Sequence, residues 1–506
     1  MNARILLTLF GVIVAQLTFS QVTTFQKMYN YTGNPYTECV ATADSGYVFT
    51  GIIGSGITRP CLIKLNWAGD TLWTRRYINF GASLSIKTAL LQTRDGGFVV
   101  TSPEIIKTDA NGNVMWVRSN SSAWYGGDAS ESPNGDICAV GTTQTPSGSR
   151  ISVIKLDSAG TPLANYYFGS VGDDPHAIRH AVNGGHIIAG TYELTGGGND
   201  GLLVRLNDNG TVLWSKRYDI NGDEIFYKVL SLDDGSFMAM GTGTNPLSSG
   251  NNCIILTKVD SMGTPLWSKW YVETNTYGLE LFENIGKGYL ITGSSNLSGN
   301  SYPGFILNVD TTGNVNWFKK YDPYPGTVDV VLCSVDKALV GGYFVNGYTS
   351  SSSGSNFYAM KTDSNGDNYN FCAQISGQLI SQAMTLTTIN YPFIPINGTT
   401  TVETVSITSV NTQTTPICSS VGIEETNATD FISIYPNPVI DVLFLKNPSG
   451  EPVEVSIFDI TGKELIRKSI EFNGQIDVKN LSSGVYAVKV HTKKKEWYER
   501  ILKIQE

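Results

Sequence analysis

The stretch "RLNDNGTVLWSKRYD", Arg205–Asp219, is answered further along the chain by "KVDSMGTPLWSKWY", Lys258–Tyr271. Each reads as the end of an apolar strand, a turn built on Gly, and a second strand led by Trp. Aligned on that Gly, the pattern K-x-D-x-x-G-x-x-x-W recurs at Gly69, Gly112, Gly160, Gly210, Gly263, Gly313 and Gly366, at intervals of 43 to 53 residues. Trp follows at positions 73, 116, 214, 267 and 317, while Ala164 and Asn370 hold the place in two units.

A second motif runs out of phase with the first: "DSGYVFTG" (44–51), "DGGFVVTS" (95–102), "NGDICAVG" (134–141), "NGGHIIAG" (183–190), "DGSFMAMG" (234–241), "GKGYLITG" (286–293) and "DKALVGGY" (336–343). Asn, Asp and Gly suit tight hairpins because those turns need φ > 0. Period and composition fit four short strands per unit, the repeat of a β-propeller. One such sheet leaves two apolar faces wet; stacking against neighbours buries both, and ring closure protects the edges. The repeated Trp is expected to be a buried wedge between blades, covering up to ~250 Å² each time.

The expected fold is therefore all-β, a propeller followed by a small Ig-like β-sandwich. Seven repeats are clear. The N-terminal "FQKMY" (25–29) reads as one outer strand, and the Thr-rich stretch after Cys372 supplies the equivalent of three inner ones. Eight blades, the last completed by the N-terminal strand, is the preferred count, with seven blades plus a β extension as the alternative.

The repeats resemble the SBBP β-propeller repeats common in exported Bacteroidetes proteins, over residues 25–373, on the "DGG" turn and the "KLD-x-x-G-x-x-x-W" pattern. That resemblance implies a fold and no activity. The G-x-x-x-W also resembles pyrroloquinoline-quinone dehydrogenases, but the adjacent cysteines those enzymes use are absent, so no cofactor is expected.

From Phe431 the composition changes. "VEVSIFDI" and "GVYAVKV" alternate cleanly as short strands of a sandwich. Tyr435-Pro436-Asn437-Pro438, the turn ending at Gly462, Gly484-Val485-Tyr486 and the basic last strand resemble the type A C-terminal sorting domain of the type IX secretion system. The resemblance implies passage across the outer membrane with that machinery as partner, removal of the domain, and release or attachment at the surface. At the other end, Arg4 precedes an apolar run, Ile5 to Phe19, too short for a comfortable membrane span, and Thr18 and Ser20 suit a signal-peptidase site. The expected organisation is a signal peptide over 1–20, a propeller over 21–418, a linker over 419–430 and the sorting domain over 431–506, with no transmembrane segment in the mature chain.

Charge narrows the function. The net charge is −9, and Ile432–Glu506 is nearly neutral, with eleven Lys and Arg against ten Asp and Glu. The body is acidic, which argues against a nucleic-acid partner. Seven Cys without a C-x-x-C and four His in all give no zinc pattern. Cys372 and Cys418 bracket the Thr-rich stretch and are the expected disulfide in an exported chain. "DSNGDN" (363–368) and "DINGDE" (219–224) resemble calcium loops, but their Gly stands fourth instead of sixth, so they are read as hairpin turns and no metal is expected.

Because strands alternate in direction, the two tight turns share one face of the ring and the longer connections share the other, where binding is expected. Trp124, Tyr125, Tyr192, Tyr277, Tyr302, Tyr324 and Tyr348 fall on that loop face and could offer flat surfaces to sugar rings. "DDPHAIRH" (173–180) is the densest polar cluster, with Asp173, Asp174 and His176 at its head and His180 four residues on. No GxSxG, HExxH or Walker motif is present, so no catalytic residue is assigned. The expectation is a surface or secreted binding module for glycan or protein; the alternative is a propeller enzyme acting on polysaccharide as a lyase or glycoside hydrolase.

Overall fold

A computed structural model of the chain describes residues 24–416 and 433–503, apart from 30–36, 54–58, 79–87, 297–301, 369–373, 391–395 and shorter stretches. It divides into two compact units, Met1–Ser419 and Ser420–Glu506. The expected signal peptide, 1–20, and both cysteines of the expected Cys372–Cys418 disulfide lie outside the described residues, and the five described cysteines are all buried. No helix of the described residues is long and apolar enough to cross a membrane.

The first unit is a ring of seven blades, not eight. Seven sheets hold all the strands of this unit among the described residues. The innermost strands are Cys39–Ala41, Ala89–Gln92, Trp124–Glu131, Asp174–His180, Ile225–Ser231, Asn275–Asn284 and Asp329–Lys337, for blades 1 to 7 in order. Each inner strand touches that of the next blade, and Cys39–Ala41 touches Asp329–Lys337, which closes the circle. The N-terminal strand Phe25–Tyr29 pairs antiparallel with Gly354–Thr362 and completes blade 7. That placement agrees with the sequence reading.

The surplus strands do not build an eighth blade. Between Gln374 and Pro416 the chain adds one short antiparallel strand to the outer edge of every blade, in the order 6, 5, 4, 3, 2, 1, 7. The stretch is thus a belt that runs backward around the ring, and every blade is five-stranded. Alternating Thr-rich sequence shows strand character, but it does not show whether strands pair with each other or with a distant edge.

The blade contacts keep the wedge at Trp116, which is buried in the core, and revise it at the other repeats. Trp73, Trp214, Trp267 and Trp317 are only half-buried. Each lies over the turn Gly of the following blade, where a Cβ on Gly112, Gly263, Gly313 or Gly366 would come within 3 Å of the ring. A cation two residues on also lies over the ring: Arg75 over Trp73 at 5.3 Å, Lys319 over Trp317 at 5.4 Å. The fully buried wedge is the Tyr four residues after the aromatic. Tyr29, Tyr77, Tyr218, Tyr271 and Tyr321 are 0% exposed, and each hydroxyl donates to the carbonyl oxygen of the same turn Gly, at 2.5 to 3.1 Å.

A third repeated feature positions the channel. In blades 3 to 7 the inner strand bulges one residue before a common level, at Gly127, His176, Tyr227, Leu279 and Cys333. Opposite four of those bulges the second strand carries Gly190, Gly241, Gly293 or Gly347, where a Cβ would sit 1.7 to 2.4 Å from a backbone oxygen of the bulged strand. The Gly that ends "NGGHIIAG", "DGSFMAMG" and "GKGYLITG" is therefore a requirement of the bulge. Gly241→Ala should destabilise the ring by ~1–3 kcal/mol, the range for overpacking, which a denaturant titration would read; an unchanged midpoint would mean the bulge is dispensable.

The second unit has a three-stranded sheet (Ser433–Tyr435, Val442–Lys446, Gly474–Asp477) and a four-stranded sheet (Glu464–Ile470, Val453–Phe458, Gly484–His491, Glu496–Lys503). They enclose one core that includes Ile434, Leu443, Val455, Ile457, Val488 and Ile501. Tyr435 pairs with Phe444, and the Tyr486 hydroxyl donates to the Ser482 carbonyl at 2.8 Å. Pro436, Asn437, Pro438 and Gly462 lie outside the described residues.

Candidate functional site

The turns align the seven inner strands. Four residues before each turn stand Glu38, Ala89, Asp128, Ala177, Lys228, Glu280 and Ser334, one per blade. This single level of the channel carries three carboxylates and a lysine, and Arg179 of blade 4 joins them from two residues further along. Lys228 of blade 5 reaches Glu38 of blade 1 across the lumen and also Glu280 of blade 6, at 3.0 Å. Glu38 accepts the Leu90 backbone N–H of blade 2 at 2.7 Å. Ser334 of blade 7 donates to Glu280 at 3.3 Å and accepts the Cys39 N–H of blade 1 at 3.3 Å. Arg179 pairs with Asp128 of blade 3, which also accepts the Ile178 N–H at 3.1 Å. Blades 1, 2, 5, 6 and 7 are thus tied into one network, and blades 3 and 4 into a second beside it.

Burial opposes the charge on Lys228, yet Glu280 and Glu38 hold its pKa well above the ordinary lysine value. Burial pushes Glu38 above the usual glutamate range despite Lys228, with Asp128 and Glu280 adding to the rise. Three carboxylates against two cations leave an excess negative charge that the site bears only because each oxygen has a partner.

A second cluster sits at the loop-face end of blade 4. The Asp174 carboxylate accepts from the Thr142 hydroxyl at 2.6 Å and lies 3.9 Å from His176 Nδ1. His176 Nε2 is 2.9 Å from the Thr191 hydroxyl, and its ring packs on Tyr227 with centroids 5.2 Å apart. Asp173 is 0% exposed; one oxygen accepts the Ser170 N–H at 2.7 Å and the other, Oδ1, has no hydrogen-bond partner. Burial raises its pKa to about 7, only partly countered by hydrogen bonds from Ser170 and Glu193 and by Arg150 and Arg217. Arg217 donates to Asp200 at 2.8 Å and stacks on Tyr192 at 4.2 Å. Carboxylate oxygens of Asp200, Asp219 and Glu224 lie within 4.8 Å of one another. They are a candidate set for a hard cation, though the Arg217 guanidinium already compensates Asp200.

Asp173, Asp174, His176 and Tyr192 therefore come together on one blade. The other aromatics do not join them. Tyr277 is held on blade 6 by Asn252 and Asn275, at 2.7 and 3.3 Å from its hydroxyl. Tyr302 leads into blade 6's third strand and Tyr348 lies in blade 7's second strand, both half-buried. Trp124 and Tyr125 pair through their backbones with Thr143 and Thr142, and Tyr324 lies outside the described residues. His180 does not share a site with His176: the bulge at His176 breaks the alternation, and His180 packs edge-on against His186 at 5.4 Å. "DSNGDN" does form a hairpin turn, with Gly366 N–H donating to the Asp363 carbonyl. In contrast, Asp219 and Glu224 flank the connection from blade 4 to blade 5.

Residues 433–504 match the secretion system C-terminal sorting domain. The tail is a type IX sorting domain. The chain is accordingly exported by type IX secretion, to the cell surface or beyond, with that machinery as partner of the sorting domain. No curated protein matches the chain. Similar solved structures include a protein of unknown function from Bacteroides caccae (12% identity, TM-score 0.37, covering 62% of this chain and 98% of that one). A polysaccharide lyase is 10% identical, with TM-score 0.39 and coverage of 65% and 90%. An endo-arabinase from Bacteroides thetaiotaomicron is 13% identical, with TM-score 0.30 and coverage of 55% and 94%.

Proposed function

We propose that the mature propeller, freed of a signal peptide and delivered by its sorting domain, is a binding module for an extracellular glycan or protein. The observation that carries this reading is the state of the channel carboxylates. Glu38, Asp128 and Glu280 converge as catalytic acids would, but each is engaged by a cation or by N–H or O–H donors from other blades. Acid–base work needs a carboxyl within reach of substrate and able to exchange its proton, and a residue tied into the ring's own closure serves poorly. Ligand then meets the loop face, where Asp173, Asp174, His176, Arg217 and the acidic trio give blade 4 its hydrogen-bonding groups.

One feature favours the enzymatic alternative. Burial raises Asp173 to a pKa of about 7, the range of a general acid, although at 0% exposed it meets substrate only if the surrounding loops part. The test is a glycan array with the mature chain and with Asp173→Asn and Arg217→Ala, alongside product analysis on the polysaccharides that bind. Binding that Arg217→Ala abolishes, without product, supports the module. Product formation that Asp173→Asn abolishes would replace it with a hydrolase or lyase.

A further inference from the structure

The belt has a property that no single blade explains. Its sequence distance from the strands it pairs with grows as it advances: Ser376 pairs with Lys319, Asn390 with Lys216, Glu403 with Val117, and Pro416 with Lys27. Its last strand lands on Phe25–Tyr29, the strand that closes the ring. That closing strand is held on both edges, by Phe357–Lys361 on one side and Thr414–Pro416 on the other.

A propeller usually opens where its two ends meet, because only that blade is assembled from distant pieces. Here the weak blade cannot release its N-terminal strand without also losing the belt, and the belt is anchored on six other blades. Pairings this far apart in sequence, which need the blades already in place, are expected to form after the ring. Interactions absent from the folding transition state slow unfolding without changing the folding rate.

We propose that residues 374–416 are a strap, laid down last around the finished ring, that locks the propeller kinetically against opening. The lock has a use in an exported protein. Outside the cell a chain that opens meets proteases, and its lifetime is set by how rarely it opens.

The test uses the full chain. Thr388→Pro with Ile389→Pro would remove backbone donors from the strand on blade 4, and Ile407→Pro with Thr408→Pro would do so on blade 1. Each double variant should unfold at least tenfold faster in denaturant, refold within about twofold of the parent, and lose amide protection in blade 7, which neither substitution touches. On the unaltered chain, native-state hydrogen exchange should show the belt amides as slow as those of the inner strands, a reading that does not depend on any variant folding. Unchanged unfolding rates, protection lost only on the substituted blade, or freely exchanging belt amides in the parent would overturn the strap.

Discussion

Lys228→Met should cost the ring ~3–5 kcal/mol, the range for removing one partner of a buried ion pair. The methionine keeps most of the stem volume, so the loss is electrostatic. Lys228 is the group that holds Glu38 and Glu280 together; without it two buried carboxylates face each other over a lumen with no other cation between them among the described residues but Arg179, which Asp128 already engages. The sign of the pH dependence separates this from a packing defect. Burial already raises Glu38 in the parent, and loss of the ammonium raises it further. An acid whose folded pKa lies above its unfolded value contributes stability below the unfolded pKa and loses it as pH rises through the folded one. The deficit of Lys228→Met should therefore shrink as the pH falls below that of the parent's optimum and widen toward neutrality. Denaturant titrations of both proteins between pH 4 and 8 would read it. A deficit independent of pH would mean the lysine acts as filler.

The hub shows where sequence reading stops. Glu38, Asp128, Lys228 and Glu280 are far apart in the chain and carry no common motif. What unites them is register: each stands four residues before a turn that is itself legible. Counting back from the turns would have placed them on one level, but charge pairing across the ring needs the number of blades and the bulges. Those bulges were also partly written, in the Gly that ends "IIAG", "MAMG" and "LITG". Read as strand punctuation, that Gly says little; placed across from a backbone oxygen, it explains the bulges that bring His176 against Tyr227 and part His176 from His180. The same limit governs the belt. Its strands were visible as alternation, while their partners, in reverse order around the ring, are a property of the closed circle. The tail was the most legible part because its motifs are local and together.

The Trp-led repeat that opened the sequence has a different balance of forces than its most conspicuous residue suggests, and a pair of substitutions should show it. Trp214 is half-exposed, with its face against Gly263 and its indole N–H donating to the Ser261 carbonyl at 3.0 Å. Tyr218 is wholly buried in the interface of blades 4 and 5, tilted against Phe226 with centroids 5.5 Å apart, and donates to the Gly263 carbonyl at 2.7 Å. Truncating a buried aromatic costs ~3–5 kcal/mol; a half-exposed one gives up less area and leaves less of a cavity. Tyr218→Ala should therefore destabilise by that full range and Trp214→Ala by about half of it or less. Tyr218→Phe keeps the packing and strands one carbonyl, for ~1 kcal/mol. Thermal melts of the three variants decide the order. If Trp214→Ala proves the most damaging, the ring is held from its rim, and the repeated Tyr is no more than the filling between blades.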